Sequence, residues 1–400
     1  MTPSTTTHVP AFPFVRPDPF GLAPELAELR RDQPISRVQI WDGSQPWLIT
    51  SFELARAVLG NRRFSSDASL AGFPTVSAQR QNAAALGRVL IRMDPPEHTR
   101  YRRLLNPEFV IPRVNAMRPE IQRIADELLD AMTRQSPPVD LVESYALPLP
   151  SLVICHLLGV PRDDRQFFEE RARRLVSFRS GQQELRTAFD ELRGYMDRLV
   201  TAKRSEPGDD VLTRLVEQEQ AGEMTHDEVV DTARLLLLAG HVTTANMIAL
   251  GVLSLVRDPD QLAALRADRS LVPGAVEELL RHMTLIQAGL RRVAIEDVEI
   301  GGELIRAGEG VIVHIAAANR DEIVAEPERF DVHHEVRHHL AFGYGFHQCL
   351  GQLLARAELQ IALDTIAQRL PGMALAVPLE RVAWRDELFL HGVYELPISW

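Results

Sequence analysis

Phe342-Gly343-Tyr344-Gly345-Phe346-His347-Gln348-Cys349-Leu350-Gly351 decides both the fold and the chemistry of this chain. It stands directly before an apolar, helix-patterned run over 353–370. A cysteine at a helix N-terminus meets free backbone N–H groups and the positive end of the helix dipole. Both favour the thiolate, the form that ligates metals. Gly343 and Gly345 admit backbone angles closed to other residues, so the loop can turn its amides towards the sulphur.

This stretch resembles the cysteine-ligand loop of the cytochrome P-450 (haem-thiolate) superfamily. The family pattern Phe-Gly-x-Gly-x-His-x-Cys-x-Gly is filled here at every fixed position, from Phe342 to Gly351. The resemblance implies a mainly α fold with small β-sheets, a triangular α-rich prism with a long central helix over haem b (iron protoporphyrin IX). It makes Cys349 the ligand of the iron. A thiolate there pushes electron density into the metal and favours O–O cleavage.

Composition sets the outer bounds. Four hundred residues with 45% hydrophobic content can bury a large core. Length alone suggests two or three domains. The resemblance, which covers nearly the whole chain, implies instead a flexible Pro- and Thr-rich arm over 1–19 and a single haem-thiolate catalytic domain over 20–400. A net charge of −11 argues against nucleic acid as a partner. Cys155 and Cys349 are the only cysteines, so no disulfide framework exists, as expected in a reducing cytoplasm. No apolar stretch approaches the ~20 residues of a membrane span, and the arm lacks a signal-peptide core. A cytoplasmic, soluble monomer is expected. Lys203 is the only lysine beside many arginines, which hints at a GC-rich genome and the soluble actinobacterial members of the family.

In chain order, 24–31 reads as a helix, and 36–41 and 46–50 alternate as a hairpin about Asp42-Gly43. Residues 52–59 return to helix spacing. The long irregular stretch 65–86, around Phe73-Pro74, is of the length that carries function, and in the family it covers the substrate. Two prolines, Pro95 and Pro96, then start a helix that sets His98 and Arg102 on one face. Two donors on one face suit a carboxylate, and the resemblance assigns them to a haem propionate. Residues 119–132 form an amphipathic helix. The apolar run 151–158 makes Cys155 a buried small hydrophobe. Residues 163–203 read as two helices joined near Ser180-Gly181, in the family a mobile lid.

Thr225-His226-Asp227-Glu228 is a capping box. The helix pattern then runs to Arg257, where Asp258-Pro259 stops it. About 33 residues span roughly 50 Å, enough to cross a domain. At its middle lies Leu238-Ala239-Gly240-His241-Val242-Thr243-Thr244. Ala239 and Gly240 leave room for a flat cofactor or substrate, and Thr243 can bond the i−4 carbonyl and bend the helix. The stretch resembles the family's oxygen-binding groove, Ala-Gly-x-(acid)-Thr-Thr, which makes Gly240, Thr243 and Thr244 the catalytic candidates. Val242 departs from that pattern, since the family usually has Asp or Glu there as a proton relay. Either Thr243 with ordered water, Thr244, His241, Asn246 or the substrate carries protons instead, or the reaction needs fewer of them, or the chain is a degenerate variant.

Glu278 and Arg281 match the family's Glu-x-x-Arg pair, a fold-holding rather than substrate-binding element. A second arginine usually completes that network. Here His334 stands at its position, so the network should be weaker or rebuilt with Arg329 or Arg337. Arg292 aligns with the arginine for the second propionate, and His347 joins His98, Arg102 and Arg292 around these carboxylates. Phe342 shields the sulphur, and Ala239 and Gly351 complete the cofactor's surroundings. Phe73, Leu238, Ala288, Leu290 and Phe389 are the expected substrate contacts. Residues 300–302 and 311–315 read as strands, and 382–400 alternate as strands at the pocket's far wall. His333, His334, His338 and His339 around Glu335 have the residue types of a zinc site, although the stretch is an irregular loop.

The resemblance implies a monooxygenase that oxidises a small hydrophobic molecule, by hydroxylation or oxidative coupling, in natural-product tailoring. Electrons come from NAD(P)H through a ferredoxin reductase and a ferredoxin. An acidic ferredoxin needs a locally basic face, for which Arg103, Arg113, Arg337 and Arg356 are candidates. Two other readings stand beside it: a nitric oxide reductase-like enzyme using NAD(P)H directly, and a haem-binding sensor without turnover.

Overall fold

A computed structural model describes residues 9–77, 89–176, 181–385 and 390–400. Its helices in chain order are α1 (Pro24–Asp32), α2 (Phe52–Leu59), α3 (Glu97–Leu105), α4 (Ile111–Thr133), α5 (Pro148–Leu158), α6 (Arg165–Val176) and α7 (Gln182–Lys203). After them come α8 (Val211–Gln220), α9 (His226–Arg257), α10 (Pro259–Ala267), α11 (Val272–His282), α12 (Ile315–Ala318) and α13 (Gln352–Arg369). The strands are β1 (Ile35–Arg37), β2 (Trp47–Ile49), β3 (Phe64–Ser65), β4 (Val139–Asp140), β5 (Leu290–Ala294), β6 (Val298–Ile300), β7 (Glu303–Ile305), β8 (Gly310–Val313), β9 (Ala374–Leu375) and β10 (Pro397–Ser399).

The capping box of α9 forms as its sequence requires. The Thr225 hydroxyl accepts from the Glu228 N–H at 3.3 Å, and the Thr225 N–H donates to the Glu228 carboxylate at 2.8 Å. Apolar residues occupy all sides of α9 rather than one stripe, and a helix of that kind belongs inside. Helices α5, α6, α7, α8, α10 and α13 pack around it, and α13 packs in turn on α4 and α11. An 18-residue window of α9 is apolar enough to cross a membrane, against the expectation that no stretch approaches that length. Within the fold, 72% of that window is buried, which accounts for its composition.

The largest sheet runs β1-β2-β8-β5-β3. The β2–β8 pair is parallel and the others are antiparallel. Smaller sheets are β4-β10-β9 and β6-β7. The main core lies among the helices, a second between the large sheet and α2, and a third under the N-terminal segment and α1.

Several local expectations change. The arm expected to be flexible is docked from Pro10 onward: the Phe12 N–H donates to the Gln39 carbonyl at 2.8 Å, and Phe12 is buried in the third core. Helix α4 begins at Ile111 and continues through Pro119. The proline removes one backbone donor, but the buried stripe Val114, Ile121, Ile124 and Leu129 fixes the helix on both sides of it. Helix α8 escaped the sequence reading although its signal was present, since the Asp210 carboxylate accepts from the Thr213 N–H at 2.8 Å. Among the described residues of 382–400, only β10 is a strand; Trp384 pairs Val393, and Ile286 pairs Leu390, as isolated bridges.

Glu358, on the buried face of α13, has one carboxylate oxygen without a hydrogen-bond partner, and burial holds its carboxyl well above the usual carboxylate range. The neutral acid is the folded form. A raised folded value means that stability is fully present below the unfolded value, about 4.3, and is lost as pH rises through the folded one. Glu358→Gln removes that dependence. Its urea midpoint relative to the parent should therefore improve from pH 5.5 to pH 8, and an equal difference at both would contradict a buried neutral acid.

Candidate functional site

The cysteine loop is built on two left-handed glycines, Gly343 at φ 71° and Gly345 at φ 73°. A Cβ on Gly345 would lie 2.6 Å from the Leu59 carbonyl oxygen, so only glycine lets the loop rest on the end of α2. The Gly343 N–H donates to the Leu340 carbonyl and the Cys349 N–H to the Phe342 carbonyl, both at 2.8 Å. Arg102 Nη1 reaches across from α3 to the Gln348 carbonyl at 2.9 Å. These bonds present the sulphur just ahead of α13. Solvent still reaches the Cys349 side chain, yet protein atoms crowd it, and that burial pushes the thiol up. The Gly351 N–H, Arg102 and Arg356 pull the other way without prevailing.

Beside the loop, four basic side chains converge from three elements. His98 and Arg102 come from α3, Arg292 from β5 and His347 from the loop itself. The His98 and His347 rings lie 4.3 Å apart. Burial, and then the positive charge of their neighbours, lowers His98 to about 4 and His347 to about 3. Burial lowers Arg292 to about 10. Asp94, the acid close to them, is engaged by the Ser65 hydroxyl and by the Ser66 N–H at 2.9 Å. His98 Nδ1, Arg292 Nε and His347 Nε2 are buried and make no hydrogen bond. Buried polar atoms without partners are costly. Three of them gathered in one place fit an anionic group with several oxygens, such as a pair of propionates next to a metal-ligating thiol.

On the other wall, the middle of α9 opens at few positions. Ala239 is exposed, and Leu238, Gly240 and Thr243 are half-buried, in a helix otherwise sunk in the core. The Thr243 hydroxyl donates to the Ala239 carbonyl at 2.8 Å. Asn246 Nδ2 donates to the Val242 carbonyl at 2.9 Å.

A cysteine loop of this geometry beside a cluster of buried basic side chains with unmatched polar atoms matches one family. The family model described as cytochrome P450 fits residues 30–371. The chain belongs to the cytochrome P450 family. It is 51% identical to cytochrome P450-SU2 of Streptomyces griseolus over 383 residues, covering 96% of this chain and 94% of that one. It is 46% identical to a vitamin D3 dihydroxylase of the same organism over 402 residues, covering 100% and 99%. Among solved structures, the mycinamicin VIII C21 methyl hydroxylase of Micromonospora griseorubida, bound to mycinamicin VIII, superposes with a TM-score of 0.92 at 40% identity, over 98% of this chain and 100% of that one. The fold is therefore the P450 fold, and the enzyme is a P450 monooxygenase by kinship. The family implies haem, and the orphaned polar atoms and the cysteine loop fit it: Cys349 would take the iron, with His98, Arg102, Arg292 and His347 around the propionates.

The expected site residues of this P450 lie in different settings. Gly240 is half-buried, and a Cβ there would lie 2.9 Å from Ile154 Cδ1, the tip of a side chain on α5, so the position is also tight against that helix. Thr244 is 5% exposed, one helical turn beyond Gly240. Leu238 and Leu290 are half-buried, and Leu290 Cδ1 lies 3.6 Å from where a Gly343 Cβ would stand, beside the cysteine loop. Ala288 is 1% exposed in the third core and lines no open wall. Phe73 is half-buried, with the Arg291 guanidinium 5.7 Å from its ring centroid. Phe389 lies outside the described residues.

Glu278 and Arg281 form a fully buried double hydrogen bond, at 2.6 and 2.8 Å. His334 Nδ1 joins Glu278 at 3.0 Å, so the histidine does take the third place. The side chain of Arg329 pairs instead with Glu326 and Asp331, and that of Arg337 with Glu335. The histidine-rich loop is no zinc site: among the described residues no group of His, Cys, Asp and Glu is placed to hold a metal. The expected basic docking residues all carry carboxylates: Arg103 pairs Glu223, Arg113 faces Asp209 at 3.9 Å, and Arg356 grips Glu277 at 2.7 and 2.9 Å. Sequence reading also missed Asn319 as a loop support. Its side chain accepts from the Leu340 N–H at 2.6 Å and donates to the Thr284 hydroxyl at 2.7 Å.

Arg292→Leu deletes one orphaned donor and one charge. A charge-assisted hydrogen bond contributes about 1.5–3 kcal/mol. Haem transfer from the variant to an apo-globin acceptor should therefore run at least about tenfold faster than from the parent. An unchanged rate would mean that Arg292 holds no propionate.

Proposed function

We propose that this P450 hydroxylates or oxidatively couples a small hydrophobic natural product in the cytoplasm, as a monomer, with electrons from NAD(P)H passed singly through a ferredoxin reductase and a ferredoxin. The observation that carries the reading is the set of buried polar atoms without partners, His98 Nδ1, Arg292 Nε and His347 Nε2, beside a cysteine loop. Haem, when bound, supplies one-electron and dioxygen chemistry. The protein's part is to bind, orient and supply protons. Cys349 ligates, the four basic residues hold the carboxylates, and Phe342 and Leu290 exclude water beside the sulphur. Leu238 and Leu290 give the substrate apolar walls, as in most small-molecule sites. Relatives named for hydroxylating vitamin D3 and mycinamicin VIII support a bulky apolar substrate. They give no support to the nitric oxide reductase alternative.

Proton handling separates this chain from the family pattern. Val242 has no titratable group and is 5% exposed. The Thr243 hydroxyl spends its proton on the Ala239 carbonyl, so its oxygen is left to accept from water or substrate. It can therefore order a water and pass a proton only if that bond breaks.

With ferredoxin, reductase and NADPH, candidate apolar natural products should yield oxygenated product, and omitting the ferredoxin should stop it. Rapid NADH oxidation on adding nitric oxide without ferredoxin would overturn the reading. Val242→Glu should raise the share of reducing equivalents reaching product severalfold, at a stability cost of about 1–3 kcal/mol for a carboxyl placed in a buried position. Unchanged coupling in a folded, haem-loaded variant would remove the basis of the proton argument.

A further inference from the structure

We propose that Glu277, Arg356 and His339 form a charge-balanced clamp behind the cysteine loop that tunes how strongly Cys349 donates to iron. The inference rests on the haem-thiolate reading of Cys349.

Arg356 stands on α13, seven positions past Cys349 in the sequence. Its guanidinium lies 4.5 Å from the centroid of the Phe342 ring. Phe342 is the residue whose carbonyl receives the Cys349 N–H. Arg356 Nε and Nη2 donate to the two oxygens of Glu277 at 2.7 and 2.9 Å, and Nη1 donates to Gln352 Oε1 at 3.0 Å. Each guanidinium nitrogen is thus held, in the bidentate geometry that fixes orientation best. Stacking then fixes the Phe342 face.

His339 closes the far side. Its Nε2 lies 3.0 Å from Glu277 Oε2, and its Nδ1 accepts from the Ala341 N–H at 3.1 Å. Glu277 and Arg356 thus pair one carboxylate with one guanidinium, and His339 adds a further contact to the same carboxylate. Glu277 is held to about 2 by its two partners, which keeps the carboxylate charged.

The fold does not need Glu277 in the way it needs its neighbour. Glu278 serves the fully buried pair with Arg281, whereas Glu277 and Arg356 are 23% and 24% exposed. What Glu277 does instead is pair the cation that rests on the Phe342 ring, next to the backbone that holds the sulphur. Outer-shell charge and hydrogen bonds are general levers on a metal ligand. An unbalanced guanidinium draws electron density back from the thiolate and favours the reduced iron, and an unbalanced carboxylate does the reverse.

The test is a charge cycle read as the ferric–ferrous midpoint potential and the position of the ferrous carbon monoxide band in the haem-loaded protein. Glu277→Gln should raise the ferrous-to-ferric ratio at fixed poise about tenfold, 59 mV for one electron. Arg356→Gln should move it the opposite way. The double variant, Glu277→Gln with Arg356→Gln, should return to within about twofold of the parent. An unmoved Glu277→Gln, or a double variant displaced as far as either single one, overturns the proposal. If Glu277→Gln fails to hold haem, Arg356→Lys decides the same point. It keeps the charge and loses the fork and the stack, so it should stay near the parent; a potential matching that of Arg356→Gln would mean that geometry and not charge is at work. A parent protein without a thiolate-type carbon monoxide band would instead show that the reading of Cys349 itself had failed.

Discussion

Burial pushes the Cys349 thiol up, although one backbone N–H and two arginines favour its ionised form. A helix N-terminus is worth well under the cost of taking a full charge out of water. The helix dipole alone does not offset that burial, whereas a metal cation taken up by the sulphur would displace its proton. The same constraint acts in mirror image a short way along the site. His98, His347 and Arg292 are crowded without a counter-ion and shift towards their neutral forms. An anionic porphyrin carrying a cationic metal answers both halves at once. The site is balanced only with the cofactor as a component, and much of the surrounding architecture serves that balance.

Helix α11 shows how the scaffold meets this demand. Adjacent carboxylates leave it in different directions. Glu278 enters a dry pair with Arg281, whose remaining N–H groups donate to the carbonyls of Asn319, Pro327 and Arg329. That arrangement ties α11 to the segment leading into the cysteine loop. Breaking such a pair leaves an uncompensated buried charge, so its contribution is to hold one arrangement. Asn319 then passes the restraint to Leu340, and Leu340 to Gly343. The loop is thus held both by a buried side chain, Asn319, and by backbone bonds of its own, from Gly343 to Leu340 and from Cys349 to Phe342.

Much of this was legible in the sequence where residue type leaves little choice. The left-handed glycines, the capping box at Thr225 and the His98–Arg102 face each follow from local stereochemistry. What stayed hidden depends on partners far away in the chain. Gly240 reads as an opening in a groove until Ile154 is seen against it. Arg356 reads as a docking residue until Glu277 is found across from it. Ala288 is as small and apolar as a pocket residue, and only the third core explains it. In the same way, Pro119 signals a helix start by its chemistry, and packing on both sides overrides it.

The shape of α9 narrows the question raised by Val242. The helix opens over one turn, at Ala239 and Thr243, because the neighbouring faces are committed to other helices. His241 is 1% exposed with Phe168 at 5.8 Å, and Thr244 is buried. The Asn246 amide is spent on the Val242 carbonyl. Each of these was a candidate carrier by sequence, and each is buried. Thr243 is left, with an oxygen free to accept and a proton bound to Ala239. A hydroxyl in that state positions a water better than it delivers a proton. Water or the substrate's own polar groups must therefore complete any relay, which ties the efficiency of this P450 to how well a given substrate fills the space beside Ala239.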